Sequence, residues 1–172
     1  MKKLLMSLAL MCGMSALAIA QDNATPDVVD IAISSADHST LVAAVQAAGL
    51  VETLKGEGPF TIFAPVNSAF DKLPEGTVAT LLQPENKATL AKILTYHVVA
   101  GRLDSAAVVA ALQAGDGKAS VTTVSGGTLN VLLEDGRVFL QDENGNKAAI
   151  TAVDLSGSNG VIHVIDTVVL PK

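Results

Sequence analysis

The 172-residue sequence has no tryptophan, one tyrosine and one cysteine, and aromatic residues make up only 3% of it. Charged residues are also few, at 16%, and 17 acidic residues against 11 basic ones give a formal net charge of -6. Because nucleic-acid binding needs clustered Lys and Arg to displace counterions, this acidic balance argues against a nucleic-acid partner. An apolar fraction of 49% with so little charge also excludes a disordered chain.

The first 20 residues differ in character from the rest of the chain. Lys2 and Lys3 precede an apolar stretch at 4–17, and Ala18-Ile19-Ala20 has the small residues of a cleavage site. This order predicts a secretory signal peptide over residues 1–20, followed by a polar leader at 21–25. The apolar stretch is shorter than the ~20 residues that a membrane span needs, so no membrane insertion is expected after signal removal. The expected location is the periplasm or the extracellular space.

Removal of that signal would leave a chain without sulfur. The only cysteine is Cys12, and all four methionines lie in the same segment. The remaining chain would have no thiol for a disulfide, a metal or a nucleophile, and no thioether to oxidise. Such a composition suits an oxidising location outside the cytoplasm.

Helical patterns dominate residues 26–114, and strand patterns dominate the remainder. Thr25 is the predicted N-cap of the first helix, with Pro26 at its first position, and Gly49 and Gly115 follow predicted helices as stop signals. The clearest amphipathic helix covers 87–94, and residues 96–99 are predicted to be extended. After residue 119 apolar residues alternate, and Asp135-Gly136 predicts a hairpin turn. The predicted strands of this part are 121–124, 128–133, 137–141, 148–153 and 161–170.

Helices first and an antiparallel meander second predict an α+β fold, with the helices gathered against one side of a sheet. The run 161–165 is apolar on both faces, which places it inside the fold. A second buried strand is predicted at 60–64, with Phe63 in its middle. No internal repeat or linker divides residues 26–172, so we expect a single domain.

No catalytic, cofactor-binding or metal-binding pattern stands out. His38, His97 and His163 are far apart in sequence, and no H-E-x-x-H, P-loop or G-x-S-x-G pattern occurs. Segment 142–146 is rich in oxygen ligands, but its glycine spacing differs from a calcium loop and favours a turn. His97 and His163 stand in apolar surroundings, which favours buried, neutral side chains with both ring nitrogens hydrogen-bonded. We expect no enzymatic activity, no cofactor and no metal.

Three sequence blocks resemble the signature motifs of the fasciclin domain family. They are FTIFAPVNSAF at 60–70 followed by LP at 73–74, LTYHVV at 94–99, and SNGVIHVID at 158–166 closing with LP at 170–171. The blocks come in the family's order and spacing, and the likeness covers about residues 26–171, with Val66 where the family more often has Thr. The resemblance implies a compact wedge with an antiparallel, β-sandwich-like core and a layer of short helices, mostly from the N-terminal half.

The resemblance also implies an extracellular adhesion or matrix module without catalytic residues. In vertebrate matrix members of the family, integrin binding is attributed to the Tyr-His motif and to an Asp-Ile pair before the last block. These correspond here to Tyr96 and His97, and to Asp154 and Leu155, with Leu in place of Ile. Core positions are expected for Tyr96 and His97, whereas Asp154 precedes a loop of small polar residues and is expected to be exposed.

Three classes of function remain open from the sequence. The first is a secreted binding module for cell adhesion or for matrix or surface attachment. Its partner would be a cell-surface or matrix protein or a polysaccharide, with weak homo-oligomers adding avidity. The second is a periplasmic or extracellular carrier of a small apolar or lipid-like ligand, with an apolar pocket between the helical layer and the sheet. The third is an enzyme, which needs a cleft with perturbed acids or histidines.

Overall fold

The computed structural model describes residues 25–172, and the predicted signal peptide and most of the predicted leader lie outside the described residues. Within the described range there are seven α-helices, seven β-strands and two short 3₁₀ turns. The helices are α1 (Val28–Ser34), α2 (Ser39–Ala48), α3 (Val51–Lys55), α4 (Asn67–Phe70), α5 (Thr77–Leu81), α6 (Lys87–Tyr96) and α7 (Ser105–Ala114). The strands are β1 (Phe60–Pro65), β2 (Val98–Ala100), β3 (Lys118–Thr122), β4 (Thr128–Glu134), β5 (Arg137–Gln141), β6 (Lys147–Gly157) and β7 (Gly160–Ile165).

The strands form one sheet in the order β2-β1-β7-β6-β5-β4-β3. The two edges of this sheet approach each other, because Val99 of β2 bridges Thr123 and the Val124 amide donates to the Val98 carbonyl at 2.7 Å. The sheet is therefore nearly closed into a barrel. The α+β fold is confirmed, and so is the internal position of the run 161–165, since β7 lies between β1 and β6.

One pair of strands departs from the predicted antiparallel core. β1 and β7 run parallel, in register from Phe60 opposite Gly160 to Pro65 opposite Ile165. A parallel pair needs a long crossover connection, and here most of the helices and the whole meander lie between the two strands. Pairing between segments so far apart leaves no signal in local sequence periodicity.

Both faces of this central part of the sheet are buried. Ile62 of β1 and Ile162 of β7 pack with α1, α2, α3 and α6 on one face. Phe63 and Ile165, from the same two strands, belong to a second apolar cluster, which includes Val108 of α7. Because successive residues of a strand face opposite sides, each strand supplies both clusters. The helices are thus not all on one side as predicted, because α7 packs against β3 and β4.

The first helix begins two residues later than the predicted start. Asp27, and not Thr25, is its N-cap: the Asp27 carboxylate accepts from the Asp30 amide at 2.8 Å, and the Asp30 carboxylate accepts from the Asp27 amide at 3.4 Å. This reciprocal capping satisfies two amides that the helix itself leaves free, and it leaves Pro26 outside the helix.

Tyr96 is also placed differently from the prediction. It is the last residue of α6, not part of an extended segment, and the His97 amide donates to the Leu94 carbonyl to close the helix.

The bounds of three strands also differ from the predicted ones: β3 starts earlier than 121, β6 continues beyond 153, and β7 ends at Ile165. After β7 the chain leaves the sheet, and the Val169 amide donates to the imidazole of His97.

No single helix within residues 25–172 has the length and apolar composition to cross a membrane. The segments Val28–Ser34 and Ala36–Ala48 reach that length and apolar composition only when they are combined, and the chain bends by 103° between them.

Candidate functional site

Tyr96 is completely buried, and its hydroxyl group joins the start of β4 to the turn at 142–146. The hydroxyl donates to the Thr128 carbonyl at 2.8 Å and accepts from the Glu143 amide at 3.2 Å. The Glu143 carboxylate in turn accepts from the Thr128 amide at 3.0 Å. Burial raises the pKa of Tyr96, which keeps the phenol protonated and able to donate. The expected core position of Tyr96 is confirmed, and its contacts are those of a structural residue.

His97 is buried beside it and is also fully engaged. Nδ1 donates to the Ile93 carbonyl at 2.8 Å, and Nε2 accepts from the Val169 amide at 3.3 Å. These two bonds need a neutral imidazole with its proton on Nδ1. Burial lowers the pKa of His97 to about 4, so the ring is neutral at physiological pH. The predicted neutral core histidine is confirmed at this position.

The other two histidines occupy separate places in the core. Nε2 of His163 lies 2.6 Å from the Leu103 carbonyl and its ring stacks on Phe63, but its buried Nδ1 has no hydrogen-bond partner among the described residues. The expectation that both nitrogens are bonded is therefore wrong for His163. His38 bonds to Ser35 through Nδ1, and burial lowers its pKa. In residues 25–172 no group of three or more His, Cys, Asp or Glu side chains is arranged to hold a metal ion.

The oxygen-rich segment 142–146 is a turn, as predicted. The buried Asp142 carboxylate accepts from the amides of Asn144 and Asn146, each at 2.9 Å. It also accepts from the Asn146 side chain at 2.9 Å and from the Leu170 amide at 3.1 Å. Both carboxylate oxygens are thus occupied by N–H donors that close the turn and attach it to the C-terminal segment.

Asp154 and Leu155 lie on the exposed part of β6, away from Tyr96 and His97. The pairing of β6 with β7 shifts register between Ala152 and Leu155, and Asp154 has a φ of 60° at this bulge. There its carboxylate meets the start of α7: the Ser105 amide donates to Oδ1 at 2.7 Å, and the Ser105 hydroxyl donates to Oδ2. These bonds lower the pKa of Asp154 and keep it ionised at the positive end of the helix.

The residues beside Asp154 make an apolar surface feature. Val153 is 47% exposed and Leu155 is 39% exposed. We call Val153, Asp154 and Leu155 the β6 ridge. Arg102 is an exposed cation next to it, because its guanidinium donates to the Ser156 hydroxyl at 3.4 Å and its charge also helps to lower the pKa of Asp154. Sequence reasoning missed Val153, Arg102 and Ser105. Their proximity depends on the bulge in β6 and on the contact between Ser105 and Asp154, which are 49 residues apart in the chain.

A second site lies between the helical layer and the sheet, where the carrier hypothesis expected a pocket. It is an apolar cavity of about 60 Å³ between α1, α2 and α3 on one side and β1, β2 and β7 on the other. None of its lining residues is charged, and its only polar side chains are Gln46, Thr53, Thr95 and His97. Ile33 and Val124 also line it, and they are 53% and 45% exposed. We call this site the helix–sheet groove.

The fold agrees with the comparisons to known proteins. Residues 36–171 match the family described as Fasciclin domain, and the chain therefore belongs to the Fasciclin domain family. It is 51% identical over 144 residues to protein sll1483 from Synechocystis sp., which covers 84% of this chain and 73% of that protein. It is 38% identical over 144 residues to the transforming growth factor-beta-induced protein ig-h3 from Sus scrofa, covering 84% of this chain but 19% of that protein.

Among solved structures, the FAS1 domain pair from the insect cell adhesion molecule fasciclin I has the same fold. The TM-score is 0.60 over 73% of this chain and 42% of that chain, at 21% sequence identity. Fasciclin domains are found in cell adhesion proteins and are typically modules without enzymatic activity. Membership of the Fasciclin domain family therefore supports an adhesion-type module.

Proposed function

We propose that this chain is a secreted, non-catalytic binding module that mediates cell adhesion or attachment to a matrix or surface, and that it binds through the β6 ridge. The single observation that carries this proposal is the exposure of Val153 and Leu155 on either side of the ionised Asp154. Family membership supports the adhesion class. Of the two pairs that the fasciclin resemblance singles out, only Asp154 and Leu155 are exposed to a partner.

The chemistry of the β6 ridge suits a protein or polysaccharide partner. Val153 and Leu155 supply apolar area that a partner can cover, and the charges of Asp154 and Arg102 can orient that partner. Both oxygens of Asp154 already accept from Ser105, so this carboxylate chiefly holds the bulge against α7. The ridge is thus presented by a rigid strand and not by a mobile loop.

A patch of three residues is small compared with a stable protein interface, which buries about 800 Å² on each partner. One copy of the ridge therefore binds weakly, and useful attachment requires several copies on one surface or weak homo-oligomers. The signal-like character of residues 1–20 and the absence of cysteine after Cys12 support a location in the periplasm or outside the cell.

The proposal is tested by cell attachment to surfaces coated with the purified protein, using cells of the producing species and of neighbouring species. The informative variant is Leu155→Ser, and its matched control is Leu133→Ser, a leucine of β4 that is 46% exposed away from the ridge. Leu155→Ser should reduce attachment by about tenfold with an unchanged thermal melt, because avidity amplifies a small loss at each site.

Leu133→Ser should leave attachment at the wild-type level. Equal loss in the two variants would show that general surface hydrophobicity drives attachment and would exclude the ridge. Absence of attachment by the wild-type protein to every surface and cell type would refute the adhesion proposal.

A further inference from the structure

The walls of the helix–sheet groove carry no charged side chain, in a chain that has 17 acidic and 11 basic residues. The one lining residue with an ionisable side chain is His97, which is neutral at pH 7 and has both ring nitrogens bonded to backbone groups. The groove therefore offers no counterion to a carboxylate or phosphate group. An anionic group placed against these walls would be desolvated and unpaired, which is strongly unfavourable.

The mouth of the groove is apolar as well. Ile33 on α1 and Val124 after β3 line the groove and remain about half exposed. The backbone of Val124 is held by its bond to the Val98 carbonyl, so the side chain keeps its place at the groove. The cavity is thus continuous with an apolar rim and is not a sealed void in the core.

Few polar groups are available at this site. The Thr95 hydroxyl already donates to the carbonyls of Ala91 and Lys92. Only Gln46 and Thr53 have polar side chains that make no hydrogen bond to another described residue, and both are exposed. A protein interface surrounds its apolar centre with a polar rim and makes about ten hydrogen bonds. This groove fits better a small molecule that needs one or two polar contacts.

The volume of the cavity limits what can enter it. At about 60 Å³, it is well below the apolar cavity of about 150 Å³ that accepts benzene. It can hold the methyl end of a hydrocarbon chain but not a whole ring. The rest of such a chain would lie along Ile33 and Val124 at the mouth.

We propose that the helix–sheet groove binds an uncharged amphiphile of the long-chain alcohol or neutral lipid class. The methyl end of its hydrocarbon chain lies between α1 and the sheet, in contact with Ile62 and Ile162. Its hydroxyl or carbonyl group stays at the mouth, within reach of the Gln46 amide. This function is separate from adhesion through the β6 ridge, and neither requires the other.

The test compares two probes of equal chain length that differ in charge, 1-octanol and octanoate. Each is titrated into the purified protein at pH 7, and the methyl NMR signals of Ile62 and Ile162 are followed. The alcohol should bind at least about tenfold more tightly than octanoate, because only octanoate brings a charge that the groove leaves unpaired. Equal affinities, or no shift of these methyl signals with 1-octanol up to its solubility limit, would overturn the proposal.

Two variants locate the binding site. Val124→Asp places a charge at the mouth, and Val109→Asp changes a valine of nearly equal exposure (44%) on α7, which does not line the groove. Val124→Asp should weaken 1-octanol binding at least about fivefold, and Val109→Asp should leave it unchanged, with both melts close to wild type. Equal weakening by both variants would place the alcohol elsewhere. Tighter binding of an acetylated leucine amide than of 1-octanol would assign the groove to a protein partner instead.

Discussion

The aromatic ring of Tyr96 lies so close to Gly127 that a Cβ atom at position 127 would stand 2.6 Å from Cε2 of the tyrosine. This contact, and not a left-handed backbone, is the reason for a glycine here. The neighbouring Thr128 accepts the hydrogen bond of the same tyrosine. Tyr96 therefore joins the end of α6 to the connection between β3 and β4 by both packing and hydrogen bonding.

Gly127→Ala should destabilise the protein by about 1–3 kcal/mol, because the added methyl group must push the buried ring of Tyr96 out of its place. Urea unfolding at pH 7 measures this loss. In a Tyr96→Leu background the atom that clashes is absent, so Gly127→Ala should cost much less there. The same cost in both backgrounds would show that the ring does not set the choice of glycine.

His97 should make the stability of the protein depend on pH. Burial lowers its pKa to about 4, whereas the unfolded chain has the ordinary value of about 6.5. Between these values the unfolded state binds more protons than the folded state. The contribution is therefore complete above pH 6.5 and is lost as the pH falls towards 4, by about 3 kcal/mol in total.

Urea unfolding of the wild type and of His97→Gln at pH 7, 5.5 and 4 isolates this effect. Burial also lowers the pKa of His38, but that contribution is common to both proteins and cancels in the comparison. Glutamine lacks the titrating group. The advantage of the wild type over His97→Gln should shrink as the pH falls, and a constant difference would contradict the assignment.

Substitutions of Asp154 should separate its conformation from its charge. Asp154→Ala loses both bonds to Ser105 and puts alanine at a φ of 60°, so it should cost about 2 kcal/mol. Asp154→Asn keeps an oxygen that can accept from the Ser105 amide, and asparagine tolerates this backbone region, so its cost should be below about 1 kcal/mol. Thermal and urea unfolding measure both variants. Equal costs would show that the charge of Asp154 dominates.

Phe63→Ala should cost about 3–5 kcal/mol, because Phe63 is fully buried in β1 and stacks on His163 with 5.7 Å between ring centroids. Phe139 of β5 is only partly buried, so Phe139→Ala should cost about half as much or less. A similar cost for both, measured by urea unfolding, would mean that the core is not centred on β1.

Several features of the fold could be predicted because local physical chemistry decides them. The Asp135-Gly136 turn joins β4 and β5 as predicted, with both residues at positive φ. α2 and α7 end at Gly49 and Gly115. The two-sided apolar pattern of 161–165 correctly placed β7 inside the sheet, since a strand buried on both faces is apolar at most positions, and here His163 is the one exception.

The candidate sites were predictable only in part. The fasciclin resemblance pointed to Asp154 and Leu155, but not to the Ser105 contacts that hold Asp154 or to the exposure of Val153 beside it. The carrier hypothesis expected a pocket between helices and sheet, but not Ile33 and Val124 at its mouth. The first helix start was also missed, because Asp27 and Asp30 cap each other and so displace Thr25 from that role.

The sequence by itself determined the order of helices and strands, the apolar faces and the turn positions, because each depends on residues within a few positions of one another. Tertiary structure decided the parallel pairing of β1 with β7, the hydrogen-bond partners of Tyr96 and His97, the bond between Ser105 and Asp154, and the groove. Each of these joins segments that are distant along the chain. Their contact depends on how the two faces of the sheet are packed, and periodicity shows that a face is apolar but not what covers it.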